Sequence, residues 1–137
     1  MHTLRPFSII AWIALPTVMY GGYAFLGMLT QGGLTPFQQT FFRAGHAHAG
    51  VLLLMSLLYH YYMEQTSLRS GIQVGAATMV LVGILMQSGG FFLHLVIGEP
   101  DAPSLGTTIT SLGAALLAVA ILILVYGLII TPREVKL

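Results

Sequence analysis

Arg43, His46 and His48 fall in "RAGHAHAG", which runs directly into the apolar stretch "VLLLMSLLYHYYM", and His94 lies in a second apolar stretch. Ionisable side chains are costly inside a bilayer, so residues of this kind mark candidate functional sites. Imidazole ligates haem iron, copper and zinc, and a guanidinium forks onto carboxylates such as haem propionates. The chain has no cysteine. That removes disulfides, thiolate metal sites and iron–sulfur clusters, and leaves His, carboxylate, Met and backbone oxygen as donors.

Helical geometry separates the first two histidines, because residues two apart point about 200° away from each other at 3.6 residues per turn. His46 and His48 are therefore not expected to chelate one ion. One should face the bundle centre, and the other a different neighbour, a second site or a partner subunit. Gly50 lies four residues beyond His46, and Gly90 lies four residues before His94. In each case the glycine is on the membrane-centre side of its histidine. Two readings of this Gly–His spacing stay open. Small residues are the ordinary packing surface between membrane helices, and a bare backbone beside an axial histidine also lets a flat porphyrin lie against the helix. A second ligand set, for copper or zinc, would take His46 or His48 with His94, to which a loop carboxylate, Glu99 or Asp101, could add.

The elements that must hold these residues are membrane helices. Apolar residues make up 56% of the chain and charged residues 7%, and the mean hydropathy is +0.88, far too little polar surface for an ordinary globule. A bilayer core needs roughly 20 apolar residues per helix. Four segments qualify, at approximately 7–29, 44–63, 72–97 and 107–130, joined by short polar connections rich in Gly and Pro. The expected fold is all-α, one antiparallel four-helix bundle over residues 1–137. The first segment reads as an uncleaved helix, because no A-x-A pattern follows it, and Pro16 should kink it. Thr35-Pro36-Phe37-Gln38 reads as a capping box that starts the second helix near residue 36, ahead of its span.

Arg5, Arg69, Arg133 and Lys136 fall at the termini and in the second loop, whereas the third loop carries Glu99 and Asp101. The positive-inside rule puts both termini in the cytoplasm, so His46, His48 and His94 share the outer leaflet of a bacterial or archaeal cytoplasmic membrane. A net charge of +1 excludes a nucleic-acid surface. His60 is expected near the inner surface beside Glu64, within an aromatic belt of Tyr59, Tyr61 and Tyr62. His2 reads as solvated, and Thr107, Thr110 and Ser111 as a weakly polar packing face.

The stretch "FFRAGHAHAGVLLLMSLLYHYY" resembles the second helix of the catalytic subunits of C-family haem-copper oxidases and nitric-oxide reductases. The resemblance covers one helix and the turn before it. It implies that His46, three residues after Arg43, is an axial ligand of a low-spin haem b near the outer face. The chain is also similar to small four-helix membrane proteins that keep His-x-His at this position. It lacks the family's further helices and its second histidine cluster, so reduction of oxygen or nitric oxide is not implied. His94 enters as the second ligand from topology and not from the resemblance. The resulting expectation is a small membrane b-type cytochrome for electron transfer or for redox or gas sensing. Copper or zinc binding, or a structural role in a larger membrane complex, are the alternatives. Homo-oligomerisation is expected to involve His48.

Overall fold

The computed structural model describes residues 3–132, so His2, Arg133 and Lys136 lie outside the described residues. Four helices follow one another: α1 (Arg5–Thr30), α2 (Pro36–Met63), α3 (Ser70–Ile97) and α4 (Leu105–Ile130). All four are long and apolar enough to cross a membrane. At 1.5 Å per residue each is roughly 40 Å long, more than the ~30 Å hydrocarbon core, so each crosses with about a turn or more to spare. Ile9, Ile13, Leu85, Val96 and Ile129 are among the many large apolar side chains left exposed, as a lipid-facing surface requires. The helices satisfy their own backbone groups, which hydrocarbon cannot do.

The start of α2 is set as its sequence indicates. Thr35 Oγ1 accepts the Gln38 amide at 3.2 Å, and Gln38 Oε1 accepts the Thr35 amide at 3.0 Å, with Pro36 in the first turn. The start of α4 is two residues earlier than expected. Ser104 is its N-cap, and Thr107 closes a second capping box by accepting the Ser104 amide at 2.9 Å.

Helices α3 and α4 pack through bare backbone. A Cβ on Gly90 would lie 2.6 Å from the Gly106 carbonyl oxygen, and one on Gly113 would lie 2.5 Å from the Gln87 amide. Glycines seven residues apart on each helix, Gly83 and Gly90 against Gly106 and Gly113, therefore bring the two axes close. Thr110 Oγ1 also donates across the interface to the Gln87 carbonyl at 3.3 Å. Against this tight pair α1 is loosely seated, burying only Ala11 and Phe25 along its length.

The end of the bundle that carries the α2–α3 loop is closed by polar contacts. The Leu4 amide donates to Glu64 Oε1 at 2.8 Å, and Gln73 Nε2 donates to the Met63 carbonyl at 3.1 Å. Tyr59 departs from the expected aromatic belt: it is buried, and its hydroxyl donates to the Ala120 carbonyl at 2.8 Å. Tyr61 and Tyr62 remain exposed. His60 is 1% exposed, and its Nδ1 lies 3.4 Å from Ser8 Oγ on α1.

Candidate functional site

The rotation of α2 about its axis decides what each histidine meets. Gly45 sets it: a Cβ there would lie 3.0 to 3.2 Å from the side chains of Phe92 and Phe91 on α3. With Gly45 turned toward α3, His46 falls on the α1 side and His48 on the α3 side, as their 200° separation demands.

His46 is half-buried and packs against α1 at Gly22, where an added Cβ would lie 2.9 Å from both Nε2 and Cε1 of the imidazole. Its ring runs nearly parallel to that of Phe42, with centroids 6.2 Å apart and planes at 26°. His46 lines a cavity of about 560 Å³ between α1 and α2, together with Trp12, Pro16, Met19, Gly50 and Leu54. Gly50 keeps this groove open, since an added Cβ would have only Val18 Cγ1 within reach, at 3.9 Å. Pro16 contributes a backbone feature, because it has no N–H to give the Trp12 carbonyl one turn back. Arg43 is exposed three residues before His46 and makes no ion pair or hydrogen bond among the described residues.

His94 is built into a different seam. It is 3% exposed, and the rings of Phe41 and Phe37 meet it edge-on, with centroids 4.3 and 5.3 Å away. Its Nδ1 lies 2.7 Å from Ser104 Oγ. That oxygen also accepts the Gly106 amide at 3.0 Å and the Thr107 amide at 3.4 Å. A hydroxyl has two lone pairs and one proton. With both lone pairs facing amides, the arrangement favours Oγ as the donor to Nδ1, and the neutral imidazole is assigned its hydrogen on Nε2. His94 thus ties the end of α3 to the N-cap of α4.

The pair expected from sequence, His46 with His94, is not brought together: the two rings have different neighbours. His48 is the histidine that shares the α2–α3 seam with His94. Its ring lies 4.9 Å from that of Phe91, and its Nδ1 donates to the Ala44 carbonyl at 2.8 Å. Phe41 stands between them, 6.3 Å from Phe91 and 4.3 Å from His94. The two Gly–His spacings likewise divide. Gly90 cannot serve as a porphyrin cradle, because Gly106 and Thr110 of α4 already fill the space beside it. Gly50 leaves that space open.

Among the described residues no three of His, Asp, Glu and Cys converge as a metal site. Asp101 borders a cavity that His94 also lines, without a third such ligand. The stripe Phe37, Phe41 and His48, spaced by four and seven residues, marks the α3-facing side of α2 and could have assigned His48 to that seam from sequence. No protein-family model, curated protein or solved structure matches this chain.

Proposed function

We propose that this integral membrane protein is a small b-type cytochrome that holds haem b in the groove between α1 and α2, with His46 as the axial ligand. One observation carries this reading. His48, His60 and His94 each have one ring nitrogen in a hydrogen bond, although His60 Nε2 is itself buried without a partner, whereas neither nitrogen of His46 has a hydrogen-bond partner among the described residues and its ring lines the α1–α2 groove. An unpaired polar group facing hydrocarbon costs several kcal/mol, and coordination to a metal centre removes that cost.

The groove fits a flat apolar cofactor. Gly50 leaves the backbone of α2 bare on this side, and Trp12, Leu15, Val18, Met19, Val51 and Leu54 supply apolar walls that exclude water. Arg43, one turn toward the helix start, is placed to hold a carboxylate at the interface. Haem b, when bound, supplies one-electron redox chemistry or a gas-binding iron.

His94 does not fit as the second ligand. Ligation through Nε2 would move its proton to Nδ1, where Ser104 Oγ has both lone pairs occupied and would have to give up one capping bond. The ligands of a haem normally gain such an outer partner and do not lose one. The basic residues Arg5 and Arg69 lie at the opposite end from Glu99 and Asp101. We therefore orient the bundle with its termini in the cytoplasm of a bacterial or archaeal cell, which puts the groove near mid-membrane with His46 toward its outer side.

The test is an absorption spectrum of the purified protein after haem supplementation. A Soret band that shifts on reduction is expected, and it should vanish in His46→Ala. Absence of any band in the native protein sinks the reading.

A further inference from the structure

A second cavity, of about 590 Å³, opens beside the α3–α4 loop and rests on none of the residues assigned to haem. Pro36, Phe37, Thr40 and Phe41 of α2, Pro100, Asp101 and Pro103 of the loop and Thr107 of α4 line it, together with His94. The imidazole presents one particular edge to this space. Ser104 takes Nδ1, and Gly98 backs the Nδ1–Cε1 edge so closely that no Cβ could be accommodated there. The ring atoms left to line the cavity are Nε2 and Cδ2. The hydrogen-bond pattern at Ser104 places the ring hydrogen on Nε2, and that N–H meets no acceptor among the described residues.

The cavity therefore offers one unmet donor, on an otherwise buried histidine, inside walls of phenylalanine and proline, with a carboxylate at its mouth. Asp101 is held there in a left-handed backbone conformation, φ 60°, which Asp tolerates better than most residues. Each feature restricts the occupant. The unmet donor requires an acceptor oxygen, and the aromatic and proline walls suit a flat apolar body. The Asp101 carboxylate disfavours an anion. Uncharged rings bearing carbonyl oxygens satisfy all three, and the bilayer's molecule of that description is a quinone.

We propose that this cavity binds the head group of a membrane quinone, with His94 Nε2–H donating to one ring carbonyl. The site requires neither His46 nor haem, so it stands or falls independently of the cytochrome reading.

Photolabelling with an azido-ubiquinone, on the full chain in phosphatidylcholine nanodiscs, tests the proposal. Label is expected on peptides spanning residues 36–41 and 100–107, and excess menadione, a ring without an isoprenoid tail, should displace it. His94→Phe should cut labelling about tenfold, the effect of one lost hydrogen bond of ordinary strength. Because that change also removes the partner of the α4 cap, Thr40→Trp provides the second arm. It fills the cavity from an exposed position while leaving the His94–Ser104 hydrogen bond in place, and should reduce labelling equally while helicity is retained. Ile129→Ala, an exposed position at the far end of α4, should label as the native protein does. Label spread over the lipid face of all four helices, or insensitive to menadione and to Thr40→Trp, would overturn the proposal, as would label confined to the groove at His46.

Discussion

Two histidines, each four residues from a glycine on an adjacent helix of one small bundle, end in opposite circumstances. At His94 the glycine is consumed by helix packing: Gly90 admits α4, and the imidazole is tied to the cap of that helix. At His46 the glycine is left bare, the imidazole has no hydrogen-bond partner among the described residues, and a groove lies open beside it. The same local pattern thus serves cohesion in one place and vacancy in the other. What separates them is the neighbouring helix, closely seated α4 in the first case and loosely seated α1 in the second.

The sharpest break in this comparison is spectroscopic. His46→Ala should remove haem binding altogether, whereas His94→Ala should leave a Soret band of undiminished height, measured in detergent at equal protein concentration. Equal loss in both variants would restore the pairing expected from sequence.

The glycines should differ in the reverse sense. Gly90→Leu drives a side chain into the α4 backbone, and overpacking of this kind costs about 3 kcal/mol at the upper end of its usual range. Gly50→Leu should cost under about 0.5 kcal/mol, like other changes that meet open space, yet it should displace haem by filling the groove. Thermal unfolding in nanodiscs, read beside the Soret band, measures both effects in one experiment.

Ser104→Ala removes the α4 cap and should destabilise the bundle by about 1 kcal/mol. If His94 acts through that cap, the loss should shrink in a His94→Phe background, a coupling that a double-mutant cycle reads directly. The smallest effect is expected at Tyr59→Phe, which deletes the hydroxyl bonded to Ala120. Hydrogen bonds between membrane helices average about 0.6 kcal/mol, so a fall in unfolding temperature of a few degrees or less is the expected result.

Much of the fold is written in local chemistry. Hydropathy marks the four spans, and Thr35, Pro36 and Gln38 mark where α2 begins, because a capping box needs only residues three apart. The α4 cap is less visible in sequence, since Thr107 stands where Glu or Gln usually completes the box. The divergence of His46 and His48 follows from helical periodicity alone. Which of them shares a seam with His94 needs more, the aromatic stripe Phe37, Phe41 and His48 on one side of α2, because it depends on the rotation of that helix. Gly45 fixes this rotation by admitting Phe91 and Phe92, contacts made between residues nearly fifty positions apart in the chain. Tyr59 misled for a related reason. Its position beside two exposed tyrosines suggests an interfacial belt, and only the arrival of α4 gives its hydroxyl the Ala120 carbonyl.

The loose seating of α1 also bears on time. Helices insert into a bilayer before they associate, and α1 is the first of the four to be synthesised. The tight glycine contact between α3 and α4 gives that hairpin the stronger reason to close, so the α1–α2 seam is the last to form although its helices are the oldest. A bulky apolar ligand can then enter sideways from the membrane before α1 docks, with no opening of the finished bundle. Once α1 has settled, the rate at which that helix lifts away would set how long such a ligand stays.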